Sequence, residues 1–73
     1  MIKYYIRIGD MLYAGLRENH EPRTTQLDCL FFASWFYTKD EAQRFIDYTL
    51  HQGRVVAYDN QTCQEVKLDE END

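Results

Sequence analysis

The sequence predicts a small α+β domain: an antiparallel sheet of four or five strands, in chain order β-β-β-α-β-β, packed on one face by a single amphipathic helix over 39–52. Three observations carry this. Residues 2–8 alternate apolar and polar side chains with the period of a strand. Residues 38–53 hold a helix cap, an apolar stripe and a glycine stop in register. The stretches on either side of that helix are rich in β-branched and aromatic residues and are punctuated by turn signals.

Taken in order, Ile2, Tyr4, Ile6 and Ile8 share one face of the first strand, with Lys3, Tyr5 and Arg7 on the other. Gly9-Asp10 turns the chain into a second strand over 11–17. A two-residue loop with Gly at its first central position pairs Ile8 with Met11. A three-residue loop pairs Ile8 with Leu12 and gathers Ile2, Tyr4, Ile6, Ile8, Leu12, Ala14 and Leu16 on one side. The apolar pattern favours the second register, which puts Lys3, Tyr5, Arg7 and Tyr13 together on an outer sheet face. Residues 18–26, polar and interrupted by Pro22, read as a surface loop.

Residues 27–37 contain one charge, Asp28, and read as the third strand. Neither of its faces is polar. With one helix available to cover it, a partner is expected on its second face, because an uncovered apolar strand invites association.

Thr38-Lys39-Asp40-Glu41 is a capping box. The Thr38 hydroxyl is placed to accept from the Glu41 N–H, and the Glu41 carboxylate to reach back to the Thr38 N–H. Tyr37 and Ala42 hold the positions of a hydrophobic staple. Ala42, Phe45, Ile46, Thr49 and Leu50 form the stripe, and Gly53 is placed as the left-handed residue that ends the helix. Residues 54–58 read as a strand, Asp59–Thr62 as a turn, and Cys63–Leu68 as a short edge strand or ordered coil.

Length and charge bound the rest. Seventy-three residues give one domain, assigned to 1–68. A chain of this size buries only about 60–65% of its unfolded surface, so its stability margin is thin. Six Tyr, four Phe and one Trp are more rings than such a core holds, so some are expected on the surface. The formal charge is −5, but four of the 13 acids lie in 69–73, leaving nine against eight bases in 1–68. The last five residues read as a disordered acidic tail. No signal peptide or membrane span is visible, so the expected location is the cytoplasm, with Cys29 and Cys63 as reduced thiols.

Catalytic and ligand chemistry finds little purchase. His20, His51, Cys29 and Cys63 have zinc-ligand identity but not zinc-ligand spacing, so no metal is expected. No nucleophile stands beside a base, and the three glycines are scattered rather than clustered round a phosphate. Asp40, Glu41 and Asp47 are accounted for by the helix start and its solvated face. No enzyme activity and no cofactor are expected. The eight cations are spread along the chain, so nucleic acid is not the expected partner.

The opening, Tyr4-Tyr5-Ile6-Arg7-Ile8-Gly9-Asp10-Met11-Leu12-Tyr13-Ala14-Gly15, resembles the start of small uncharacterised proteins encoded by phages and prophages of Gram-positive bacteria. Ala33-Ser34-Trp35-Phe36-Tyr37-Thr38-Lys39-Asp40-Glu41-Ala42 is similar to their Ala-x-x-Phe-x-Ser/Thr-x-x-Glu-Ala junction, and Arg54–Tyr58 to their closing strand. The chain departs from that pattern at 27–32, which is more apolar, and after Tyr58. The resemblance implies a small accessory protein and transfers no functional residue. The expected function is a non-enzymatic interaction module that binds a protein partner or itself. Its candidate contact residues are Tyr5, Arg7, Tyr13, Phe32, Trp35 and Tyr37. The alternative is a nucleic-acid-directed protein. It would be either a DNA mimic built on Asp47, Asp59, Glu65 and the tail, or a weak single-strand binder using the Lys3/Tyr5/Arg7/Tyr13 face.

Overall fold

The computed structural model describes residues 1–68; the acidic tail expected at 69–73 lies outside them. Five strands and one helix occur among the described residues. They are β1 (Ile2–Ile8), β2 (Met11–Leu16), β3 (Pro22–Gln26), α1 (Lys39–Phe45, continued by a π-helical turn Ile46–Leu50), β4 (Arg54–Asp59) and β5 (Gln64–Val66). The sheet is antiparallel with strand order β3-β2-β1-β4-β5. The α+β class and the order β-β-β-α-β-β are as the sequence predicts. Which residues form the third strand, and what covers the second face, are not.

β1 is the centre of the sheet. It pairs with β4 along its length, from Ile2–Asp59 to Arg7–Arg54. Its pairing with β2 is confined to the turn end, Ile8–Met11 and Arg7–Leu12. This is the two-residue loop, with Gly9 at φ +61°, and it corrects the register that the apolar pattern favours. The reason lies in the core. Tyr5 and Leu12 are buried on one face, and Ile6 and Tyr13 on the other. With both faces apolar there is no polar face for the register to protect, so the turn chemistry decides.

The third strand is Pro22–Gln26, inside the stretch expected to be a loop. Pro22 opens it on the sheet edge, where its missing N–H costs no ladder bond. Thr24 and Thr25 supply the β-branching, pairing with Tyr13 and Leu12. The polar character that reads as loop is that of an exposed edge. Ala14 and Gly15 stand opposite one residue of β3, a bulge between the Tyr13 and Leu16 pairs, with Gly15 at φ +108°.

Residues 27–37 are not a strand but a strap that serves both faces in turn. Leu30–Phe32 form one 3₁₀ turn. Leu27, Leu30 and Ala33 pack on Tyr5, Leu12, Val56 and Tyr58. The chain then enters the gap left where β2 diverges from β1. There the Ser34 N–H donates to the Tyr13 carbonyl (3.0 Å), and Phe36 exchanges both backbone bonds with Tyr4 (3.1 and 2.7 Å). Phe36 emerges on the opposite side, against the helix-side cluster of Ile6, Tyr13, Ala42, Ile46, Leu50 and Val55. The partner expected on the second face of this segment is thus replaced by the chain itself.

The helix begins as its cap predicts, with one change. The Glu41 N–H donates to the Thr38 hydroxyl (3.1 Å), while the Glu41 carboxylate accepts from the Tyr37 N–H (3.1 Å) rather than from that of Thr38. The staple contact is not the expected one. The Tyr37 ring turns to Trp35, and Phe36 meets Phe45 instead, with centroids 5.5 Å apart. At its end the helix widens into the π turn, where the His51 N–H reaches the Ile46 carbonyl. The wider turn leaves Thr49 exposed while Ile46 and Leu50 stay buried. His51, at φ +58°, takes the left-handed cap position expected of Gly53, and the helix stops at Leu50 rather than at 52.

Candidate functional site

The eleven aromatic rings divide by face and depth. Tyr5, Tyr13 and Tyr58 are buried, and Tyr4, Phe36 and Phe45 are half-buried. Five remain outside: Phe31 is 91% exposed, Tyr48 79%, Tyr37 71%, Phe32 67% and Trp35 39%. Four of these five lie on the strap and one on the helix. The strap puts them outside for a geometric reason. In a 3₁₀ turn three successive side chains point in three directions, so Leu30 takes the core while Phe31 and Phe32 are turned away from it.

The exposed rings form a broken band of two edge-to-face pairs, with Tyr48 apart from both on the helix. Phe31 and Phe32 meet edge to face at 5.4 Å, and Trp35 and Tyr37 at 4.8 Å. The Lys3 ammonium sits 3.6 Å from the centre of the Trp35 ring, a cation–π contact that fixes the indole over β1. Trp35 borders two open hollows. One, of about 440 Å³, is a shallow depression lined by Trp35, Tyr37, Glu41, Arg44, Phe45 and Tyr48. The other, of about 350 Å³, lies between Trp35, Phe31, Leu30, Tyr5, Lys3 and Cys63.

Of the residues singled out from the sequence, Phe32, Trp35 and Tyr37 lie in this band. The other three are elsewhere. Tyr5 is buried beneath the strap, edge-on to Tyr58 with centroids 5.5 Å apart. Tyr13 is buried on the opposite face, 5.3 Å from the Phe45 ring. Arg7 is half-buried, its Nε donating to the Gly9 carbonyl (2.9 Å) and its other end 4.0 Å from Asp10. The outer face of Lys3, Tyr5, Arg7 and Tyr13 expected from the three-residue loop therefore does not form, and with it goes the stacking platform for a single strand. Sequence reasoning missed Phe31 and Tyr48, and named Lys3 only on the stacking face that does not form. Tyr48 had a signal: it is an aromatic residue off the apolar stripe of an otherwise legible helix. Phe31 had none, because its exposure follows from a turn rather than a period.

The titratable groups are set by burial more than by one another. Burial pushes the Tyr5 phenol up, with the nearby Cys63 thiol adding to it. Burial alone raises Tyr13. Tyr58 is raised first by burial and then by Glu65, against the opposing pull of Arg7 and Arg54. The Cys29 thiol is raised by desolvation and by the Asp28 carboxylate it contacts at 3.5 Å, so it is held as the thiol, the poorer nucleophile. Asp59 is lowered, chiefly by the Gln61 N–H it accepts at 2.9 Å and further by the N-terminal ammonium 3.7 Å away.

Among the described residues no three His, Cys, Asp or Glu side chains gather as a metal site would require, and no helix is long and apolar enough to cross a membrane. Both cysteines are free thiols. What the arrangement offers is apolar, aromatic contact area with a sparse polar rim. In class the chain is a small α+β domain whose sheet is covered on one face by a helix and on the other by its own strap. Comparison with known proteins finds no matching family model, no matching curated protein and no matching solved structure.

Proposed function

We propose that this chain is a non-enzymatic interaction module whose working surface is the aromatic band Phe31–Phe32–Trp35–Tyr37–Tyr48. One observation carries the reading: five large rings stay exposed on a chain that has already closed both faces of its sheet. Rings of this kind offer large contact area at small entropic cost, and they are the side chains enriched at the centres of protein interfaces. Beside the rings, the hollow between Trp35, Phe31 and Tyr5 gives a concave place for a partner's side chain. An accessory role in the cytoplasm, of the kind implied by the resemblance to small phage and prophage proteins, is consistent with a domain that leaves these rings in solvent.

The test is capture from a bacterial lysate with three baits: the intact chain, the Phe31→Asp/Tyr48→Asp variant, and a chain ending at Leu68. The band reading expects partners lost with the double variant and kept with the shortened chain. Partners kept by a double variant whose circular dichroism is unchanged would overturn it.

A further inference from the structure

We infer that the hollow between Lys3, Tyr5, Phe31 and Trp35 is a binding site for a small aromatic carboxylate, a flat ring system carrying one acid group. The inference goes beyond the reading of the exposed rings as a docking surface and does not require it. Three observations carry it. The first is a buried hydroxyl without a partner. Tyr5 lines the hollow and is 2% exposed. Among the described residues its hydroxyl makes no hydrogen bond. A buried tyrosine O–H ordinarily has a partner, because one left unmade carries the full cost of its lost hydration. The Cys63 thiol, on another wall of the hollow, is near enough to bear on the phenol's ionisation, which puts the hydroxyl on the hollow's side of the ring. Burial keeps the group a phenol, so what it presents there is a donor.

The second observation is charge. Lys3 is the one charged residue that lines this hollow. It is half-buried and makes no ion pair among the described residues. Trp35 takes one side of its ammonium, at 3.6 Å from the ring centre, and the remaining N–H donors are left for an oxygen. Lys3 and Tyr5 are two apart on β1 and so stand on the same face of the sheet. An ammonium and a phenol on one wall suit a carboxylate, which only accepts and has two oxygens to do it with. One ammonium balances one negative charge, and no second cation lines the hollow to hold the extra charge of a phosphate.

The third is shape. At about 350 Å³ the hollow stands at the small end of the roughly 300–1,000 Å³ of ligand pockets, so the acid is a small molecule. Its apolar walls are the rings of Phe31 and Trp35 with Leu30 beside them, and ring walls favour a ring, edge-on or offset-stacked. Phe31, 91% exposed, gains cover from such an occupant. Few convergent polar groups on an apolar wall is the composition of a small-molecule site.

The experiment is a titration of the full chain followed at the indole N–H resonance of Trp35, the one tryptophan. The probes are 2-naphthoate, its neutral isostere 2-naphthamide, and cyclohexanecarboxylate as an acid without an aromatic ring. 2-Naphthoate is expected to bind with a Kd of about 1 mM or tighter, the order its size allows, and the other two at least about tenfold more weakly. Tyr5→Phe is expected to weaken 2-naphthoate by about 5–10-fold, the worth of one hydrogen bond. It should leave the unfolding midpoint of the ligand-free chain unchanged or higher, because the ring stays and only an unpartnered hydroxyl goes. Lys3→Gln is expected to weaken 2-naphthoate about tenfold and to leave 2-naphthamide as it was. A resonance that has not moved by about 10 mM 2-naphthoate overturns the inference, and so does either control probe binding as well as the acid. Tyr5→Phe binding like the wild type overturns it too, as does a fall in that variant's unfolding midpoint, since the hydroxyl then already has its partner in the fold. The docking surface fails separately. A hollow that ignores the acid leaves the exposed rings free to meet a protein, and rings that capture no protein leave the titration standing.

Discussion

Gly53 and Gly9 both have positive φ, and for different reasons. Gly9, at +61°, turns the first hairpin in open space, where an added methyl group would meet nothing within 4 Å. Gly53, at +93°, lies against the central strand, and its added Cβ would come 2.8 Å from Ile6 Cγ2 and 2.9 Å from the Arg7 carbonyl oxygen. Gly9→Ala therefore meets only the intrinsic cost of a left-handed residue, about 1 kcal/mol. Gly53→Ala adds a displacement of backbone at the middle of the sheet, for a total of about 2–4 kcal/mol. Urea unfolding of the two variants checks the ordering, and equal midpoints would refute it. Asp59 gives a pH dependence at the same scale. Its folded value lies below the ordinary 3.8, so folding favours its ionised form. That contribution is complete above the unfolded value and is lost as pH falls through the lower folded one. Asp59→Asn should thus lower stability near neutrality and show no deficit once the pH is below both values. Unfolding midpoints at pH 6 and along the acid limb test this, and a deficit that persists undiminished in strong acid would exclude it.

At the scale of elements, legibility tracked how local the governing physics is. The helix start was readable because Thr38, Glu41 and the stripe lie within a few turns of one another. Thr38→Ala should cost about 1 kcal/mol through the lost bond to the Glu41 N–H. The ends of elements were less readable. The π turn shifts the stop to His51, and nothing in the spacing of Ala42, Phe45 and Ile46 announces it. The strap departs from the strand its pattern predicts for a definite reason. Apolar residues on both faces of a strand, and apolar residues delivered in turn to two cores, make the same pattern when counted by twos. The two differ in their neighbours. In a strand, Phe31 and Ala33 share a face, as do Leu30 and Phe32. In the strap, Leu30 and Ala33 are buried while Phe31 and Phe32 are not. Leu30→Ala is therefore expected to cost about 2–4 kcal/mol and Phe31→Ala no more than about 0.5 kcal/mol, read by chemical unfolding. Comparable losses at both positions would restore the strand.

For the whole molecule, the strap changes what the core is. The sequence describes one helix over one sheet face, which leaves a second face for a partner. The structure has two thin half-cores, each too small to stand alone, on opposite sides of β1 and β4. They share backbone rather than side chains: Tyr5 and Val56 serve the strap side, and Ile6 and Val55, their chain neighbours, serve the helix side. The candidate surface was only half readable from the sequence for the same reason. Once the strap seals the second face, the rings that reach solvent are those its turn leaves over. Shared strands also couple the two half-cores. Removing methyl groups from one side, by Ile46→Val, or from the other, by Val56→Ala, should weaken a single cooperative unit. Trp35, the one tryptophan, stands where the strap crosses between faces, so its fluorescence reports the crossing while far-UV circular dichroism reports the sheet and helix. For both variants and for the wild type the two probes are expected to give the same midpoint, shifted together to lower denaturant. If Val56→Ala instead releases the tryptophan signal ahead of the circular dichroism, the strap is an independent flap. The second face would then be open part of the time, and the case for a surface confined to the aromatic band would fail with it.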